Sequence, residues 1–434
     1  MPVTKAEVEA KVMEVLGEML EEWDEELDEE PGPQTTLVED VGFASIDFVQ
    51  FAVAIEERCG AKLGFQELLI RDGQYIEDLT IAEVVDFVTG KLNQPLDAPP
   101  AAPVEAPKPN VERLESIDEA ERVCEDKFTA FRQIIRPRPP RPADDAPKNP
   151  RAVFVLSPPR SGSTLFRVML AGNPALFAPP ELHLLSYGTM DERRDTLNDE
   201  HNNHLLEGTI RAMMQLKGWS GEESRAFAEK CESEGMTTKA FYGIMQSALD
   251  GQLLVDKTPS YVIDKEILER AETDFDGALY IHLQRHPCGT IRSYEESKLT
   301  RLMPLMSESD FSTRQLAEMT WLLSHRNILS FSEQVPAERW FNLRYEDMVQ
   351  DPDTQMRQLC EFLGVPFHED MVNPYADNDK RMTDGVDTAS RMSGDLKFHL
   401  HQGIDASAAS RWQQFYSPEI LGGITRDVAA RFGY

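Results

Sequence analysis

The chain has 434 residues, of which 41% are hydrophobic, and a single core stops growing at roughly 250–300 residues, so two domains are expected. Its formal charge of −32 excludes non-specific nucleic-acid binding, because nucleic-acid phosphates would be repelled. No apolar run reaches the roughly 18 residues of a membrane span, and the N-terminal MPVTKAEVEA lacks the apolar stretch of a signal peptide, so a cytoplasmic protein is expected.

Acidity is concentrated at one end: residues 1–100 hold 24 Asp and Glu against 6 Lys and Arg, which marks that stretch as a separate object. Within it Val8, Val12, Val15, Leu16, Met19, Leu20 and Trp23 recur at helical spacing and predict an amphipathic helix over about 3–28, ended by Pro31, Gly32 and Pro33. A second helix is predicted from Ser45, where Ile46, Phe48, Val49, Phe51, Ala52 and Ile55 form an apolar face that Gly60 closes. A third spans about 80–92 with Thr80 as its N-cap. Residues 1–92 thus read as a small all-α helix bundle. The Pro/Ala-rich NQPLDAPPAAPVEAPKPN that follows reads as a semi-rigid spacer. A charged helix at about 111–133 and a second Pro-rich passage complete a linker over 93–150.

From 151 to 434 the pattern becomes strand, loop, helix, which predicts an α/β domain with a parallel sheet and flanking helices. Strands are expected at AVFVLS (152–157), QLLVDK (252–257), GALYIHLQ (277–284) and RWFNLRY (339–345). The five cysteines, Cys59, Cys124, Cys231, Cys288 and Cys360, lack C-x-x-C spacing, so neither a zinc site nor a disulfide framework is expected.

The first strand runs into SPPRSGSTLFRVML, where Pro158 and Pro159 break it, Gly162 permits a tight backbone, and Ser163 and Thr164 open a helix. Unpaired backbone N–H groups and the hydroxyls of Ser161, Ser163 and Thr164 make this an anion site suited to a 5′-phosphate. A Walker A loop would place a lysine directly after its second glycine. Here Ser163 follows Gly162 and the nearby cation, Arg160, precedes it, so the loop is of P-loop type without being a Walker A.

The segment PPRSGSTLFRVMLAGNPALFAPPELHLL (158–185) resembles the sulfotransferases that use 3′-phosphoadenosine-5′-phosphosulfate (PAPS). The similarity is to the branch with P-R-S-G-[ST]-T-L, shared by tyrosylprotein sulfotransferases and the sulfotransferase domains of polyketide-type assembly lines, and it extends over 151–434 at scattered motifs. It implies transfer of a sulfuryl group from PAPS to a hydroxyl, with Arg160, Ser161, Gly162, Ser163 and Thr164 as the 5′-phosphosulfate loop. It implies a 3′-phosphate site at Arg285, just past a strand end, and Ser293 on the next helix. Lys257, at the strand end in DKTPSY, resembles the family lysine that faces the sulfuryl group. Tyr345 in LRYEDMVQDP lies in a recurrent family segment, Arg411 and Trp412 resemble the closing segment near the nucleotide, and Ser390 or Arg391 would lie beside the sulfate.

Sulfuryl transfer is mostly positioning and charge stabilisation, so it needs cations at the oxygens, here Arg160 and Lys257, and a base for the acceptor hydroxyl; no metal is required. Glu181 and His183 compete for the base. Glu181 matches the spacing of the catalytic glutamate in the tyrosylprotein branch, and Pro179, Pro180, Leu182 and Leu184 are expected to raise its pKa by desolvation. His183 titrates nearer neutrality without help. His286 and His399 are expected to be structural.

Beginning at Leu37, LVEDVGFASIDFVQFAVAIEE resembles the attachment region of acyl carrier proteins, with Ala44 where that family commonly has Asp. The resemblance implies 4′-phosphopantetheine on Ser45, a phosphopantetheinyl transferase as partner, a carrier-tethered hydroxylated acceptor and other biosynthetic assembly-line enzymes as neighbours. In related assembly lines a following thioesterase removes the sulfate with decarboxylation; no such segment follows here, so alkene formation is expected to need another protein. Two other readings of the residues are a non-catalytic nucleotide-fold scaffold with an acidic docking bundle, and a nucleotide kinase.

Overall fold

The computed structural model describes residues 3–22, 31–43, 45–61, 63, 65, 68, 70–71, 74–75, 78–93, 113–135, 146–198, 203–297, 309–377, 380–383, 398 and 403–434. It divides into two compact units, Met1–Val111 and Glu112–Tyr434. Among the described residues no helix is long and apolar enough to cross a membrane.

The first unit contains α1 (Lys5–Glu22), α2 (Ser45–Cys59) and α3 (Ile81–Leu92). Val8, Val12, Val15, Leu16 and Met19 form the buried stripe of α1, which packs against both other helices as the apolar spacing requires. Trp23 and the rest of the expected first helix lie outside the described residues. Thr80 caps α3 in a reciprocal capping box with Glu83. The loop leading to α2 is tied down on both sides. Phe43 N donates to Leu37 O at 2.8 Å and Leu37 N to Leu79 O at 2.9 Å. The Asp78 carboxylate accepts from Val38 N at 2.8 Å and Glu39 N at 2.9 Å. Ser45 is the first residue of α2. A short antiparallel ribbon pairs Ile70–Arg71 with Gln74–Tyr75, an element without an alternating apolar pattern to announce it.

The second unit begins with a segment that the sequence reads as linker. There α4 (Glu125–Ile134) buries Phe128 and Phe131 in a cluster with Met319, Trp321 and Leu322, so this charged helix belongs to the unit's own core. Its i, i+3 pair of phenylalanines is the stripe that charge conceals.

The sheet is built from β1 (Val153–Leu156), β2 (Leu176–Phe177), β3 (Leu253–Lys257), β4 (Leu279–Gln284) and β5 (Trp340–Arg344). Their spatial order is β2-β3-β1-β4-β5, every pair parallel. Alternate residues of these strands feed two cores. Phe154, Leu156, Leu254 and Tyr280 join one, and Val153, Val155, Val255 and Ile281 join the other, the pattern of a parallel sheet covered on both faces. Between the strands run α5 (Ser163–Ala171), α6 (Met190–Leu197), α7 (Glu207–Lys217), α8 (Gly221–Ser233), α9 (Thr238–Ser247), α10 (Lys265–Asp274), α11 (Pro287–Ser297) and α12 (Thr313–Ser332). After β5 come α13 (Tyr345–Gln350), α14 (Pro352–Leu363) and α15 (Gly423–Ala430). Because β1 is central and the chain continues to β3 on one side and β4 on the other, the carboxyl end of β1 is a topological switch point, where open sheets leave a crevice for a ligand.

Candidate active site

The loop leaving β1 sits at that crevice. Arg160 and Gly162 both adopt left-handed backbone, with φ 63° and 80°. A Cβ on Gly162 would stand 2.3 Å from the Tyr345 ring, so glycine is required there by conformation and by space. The first helical bond of α5 is Phe166 N to Gly162 O at 3.1 Å, which leaves the preceding N–H groups outside the helix ladder. Ser157 Oγ and Ser161 Oγ are buried without a hydrogen-bond partner among the described residues. Such a loop suits an anion with several acceptor oxygens.

The residues expected at the 3′-phosphate are tied directly to this loop. Arg160 Nε donates to Ser293 Oγ at 3.0 Å, and Arg285 donates to the Arg160 carbonyl at 2.8 Å. The Arg285 guanidinium lies over the Tyr345 ring, 4.4 Å from its centroid, and Trp321 Nε1 holds the Arg285 carbonyl at 2.9 Å. Arg160, Arg285, Ser293, Tyr345 and Arg411 line one open groove, in which Arg411 pairs with Asp405 and Trp412 stacks on His286 at 3.8 Å. Ser390, Arg391 and His399 lie outside the described residues. Burial, reinforced by Arg344 and Arg285, pushes His286 down to about 3, and burial pushes His282 to about 3; both are neutral packing groups at physiological pH.

On the other side of β1, Lys257 ends β3 in register with Val155. Its ammonium is 2% exposed and meets Glu181 Oε1 at 2.5 Å. His183 Nε2 lies 3.4 Å from Glu181 Oε2, and His183 Nδ1 is 3.2 Å from Ser260 Oγ. The structure therefore gathers Lys257, Glu181 and His183 into one cluster. The expected rise in the Glu181 pKa is corrected: burial does push its carboxyl up, but Lys257 and His183 outweigh it and hold the group well below the usual carboxylate range. The sequence shows the apolar residues around Glu181 and the lysine at the end of β3, and gives no sign that the two residues pair.

Several supports of this cluster escape a motif search. Arg167 is buried and donates to Ala178 O at 3.1 Å and Arg381 O at 2.8 Å, closing the chain around the Glu181 side of α5; burial lowers its pKa to about 10. Gly208 lets α7 approach so closely that a Cβ there would fall 1.9 Å from the Glu181 carbonyl. His183 itself has φ 49°, a left-handed conformation that costs a non-glycine residue of the order of 1–3 kcal/mol and persists only where its surroundings impose it.

A model of the Sulfotransferase family matches residues 150–369. The sulfotransferase domain from the curacin biosynthetic pathway is 39% identical, with 66% of this chain and 99% of that one covered and a TM-score of 0.61. The sulfotransferase domain of the Synechococcus PCC 7002 olefin synthase is 38% identical, covering 68% of this chain and 99% of that one, also at a TM-score of 0.61. No curated protein matches the chain. Since the matched span contains the anion loop and both strand ends that face it, the chain belongs to the sulfotransferase family.

Proposed function

We propose that the second unit transfers a sulfuryl group from PAPS to a hydroxyl of an acyl chain tethered through 4′-phosphopantetheine to Ser45. The observation that supports this most is the joining of a two-part anion site, Arg160 with Arg285 and Ser293, to the Lys257–Glu181–His183 cluster across the same strand. The backbone N–H groups of 160–164 hold the 5′-phosphosulfate, and Arg285 and Ser293 hold the 3′-phosphate. Lys257 exchanges Glu181 for the oxygens of the sulfuryl group. Released from its ammonium, Glu181 becomes basic enough to take the proton of the acceptor hydroxyl. The acceptor oxygen bonds to sulfur, the bond from sulfur to the 5′-phosphate oxygen breaks, and 3′,5′-adenosine bisphosphate leaves with that electron pair. His183 orients Glu181, with Arg160 stabilising charge on the departing phosphate.

Residues 1–92 are assigned as the carrier. Ser45 opens a helix behind a loop clamped by Leu79 and Asp78, which supports it as the attachment residue; the arm would supply a flexible thioester tether. The similar domains are named for biosynthetic pathways, which supports a phosphopantetheinyl transferase and assembly-line enzymes as partners. The test is release of 3′,5′-adenosine bisphosphate from PAPS with hydroxylated acceptors, beside thermal stabilisation by PAPS and by ATP with magnesium. Stabilisation by ATP with magnesium and not by PAPS would favour a kinase. For the arm, intact mass after incubation with coenzyme A and a phosphopantetheinyl transferase should rise in the native chain and stay constant in Ser45→Ala.

A further inference from the structure

The segment that carries Glu181 and His183 is neither helix nor strand, yet it lies buried, so its backbone N–H groups need partners. Four consecutive amides find them in two hydroxyls. Thr258 Oγ1 accepts from Leu182 N at 3.2 Å and His183 N at 3.5 Å. Tyr261 OH accepts from Leu184 N at 3.0 Å and Leu185 N at 3.2 Å. A hydroxyl that accepts from amides must send its own proton elsewhere, and both send it to one carboxylate: Thr258 Oγ1 donates to Asp256 Oδ1 at 2.8 Å and Tyr261 OH to Asp256 Oδ2 at 2.9 Å. Asp256 and Tyr261 are 1% exposed and Thr258 is 0% exposed. On the carbonyl side Arg193 donates to Leu182 O at 3.1 Å and Arg270 to Leu185 O at 3.2 Å.

We propose that Asp256, acting through Thr258 and Tyr261, is the positioning residue that sets the Glu181–His183 segment against Lys257. This rests on the reading of that cluster as the catalytic one. The arrangement follows from the strand: Asp256, Lys257 and Thr258 are consecutive at the end of β3, where side chains alternate in direction. Lys257 faces Glu181, Thr258 bonds the backbone that carries Glu181, and Asp256 reaches that backbone through the hydroxyls of Thr258 and Tyr261. The charge, its carboxylate anchor and one of the two scaffold hydroxyls thus come from one three-residue stretch, with Tyr261 following in the next turn. An acceptor-only carboxylate takes the protons of Thr258 and Tyr261, which leaves both hydroxyl oxygens to accept from the four amides. Tyr242 OH also donates to Asp256 and lies 3.3 Å from Tyr261 OH but bonds none of the four amides, so removing it takes away contacts behind the clamp and none of the clamp's bonds to the segment.

The test compares Tyr261→Phe, Thr258→Val, Thr258→Ser and Tyr242→Phe in the full chain. The readouts are kcat and KM for PAPS, the pH profile of kcat/KM, affinity for 3′,5′-adenosine bisphosphate, and amide hydrogen exchange over 182–185. Misplacing reacting groups by about 1 Å costs on the order of 100-fold. Tyr261→Phe and Thr258→Val should therefore lower kcat by about 10- to 100-fold, leave bisphosphate affinity within about twofold, and move the acid limb of the kcat/KM profile, which reports the free enzyme, to higher pH as the Glu181–Lys257 pair loosens. Exchange should quicken at 184 and 185 in the first variant and at 182 and 183 in the second. Thr258→Ser should restore most of kcat, and Tyr242→Phe should lose markedly less than Tyr261→Phe. Equal losses in the two tyrosine variants, or native exchange at 184 and 185 in Tyr261→Phe, would overturn the proposal. A native chain that turns over no acceptor sinks the catalytic reading instead, and the exchange pattern still decides whether the clamp exists.

Discussion

At the residue scale the proposed chemistry turns on the 2.5 Å contact between Lys257 and Glu181. Glu181→Gln keeps the shape and removes the proposed base, so kcat should fall by about 10²–10⁴ with KM for PAPS little changed, measured by steady-state release of 3′,5′-adenosine bisphosphate. Lys257→Met should lower kcat and also shift the acid limb of kcat/KM to higher pH. The sign follows from the environment: Lys257 holds the Glu181 carboxyl low, and its loss leaves the burial that pushes it up. In the native chain, because the folded value is depressed, the ion pair stabilises the fold above the ordinary carboxylate pKa of about 4.3 and loses that contribution as pH falls toward the folded value. Urea unfolding of the native chain and Glu181→Gln at pH 7 and pH 3 should show the difference narrowing in acid. Arg285→Ala should act on the donor, raising KM for PAPS while sparing the Glu181 pH limb.

At the scale of elements, the strand ends and helix starts hold the site, and both were legible from local pattern. The apolar runs at 152–157, 252–257, 277–284 and 339–345 contain the observed β1, β3, β4 and β5, and the two prolines and Gly162 mark where β1 stops. β2 was missed because two residues present no period. α4 was assigned to a linker because its charge masks a pair of buried rings. Two predictions belong here. Gly162→Ala must hold a side chain at φ 80° against Tyr345, so about 1–3 kcal/mol of stability should be lost together with binding of 3′,5′-adenosine bisphosphate, read by thermal shift and calorimetry. Phe131→Ala, at a ring that is 0% exposed, should cost about 3–5 kcal/mol in urea unfolding, whereas a ring in a free linker would cost almost nothing.

At the scale of the whole molecule, the units Met1–Val111 and Glu112–Tyr434 make separate claims. A chain starting at residue 112 should keep a cooperative unfolding transition and sulfate a free hydroxylated acceptor, while losing activity on an acceptor loaded on Ser45. A chain starting at 151 lacks α4, exposes Trp321, Met319 and Leu322, and should unfold at lower temperature or aggregate. Differential scanning calorimetry of the two truncations separates them.

What the sequence determined by itself was whatever local chemistry encodes: the acidic helical stretch, the strand-to-loop step at Pro158 and Pro159, the glycine demanded at 162, and the residue types proposed to hold two phosphates. These depend on neighbours a few positions apart. Tertiary structure decided the rest. Glu181 and Lys257 stand 76 residues apart, Arg160 and Ser293 stand 133 apart, and the hydroxyls that hold Leu182 to Leu185 come from the turn after β3. Electrostatic effects fall off with distance in space and not along the chain, so the Glu181 shift, raised by burial and overturned by a neighbouring ammonium, became readable only when the parallel sheet set the ends of β1, β3 and β4 side by side.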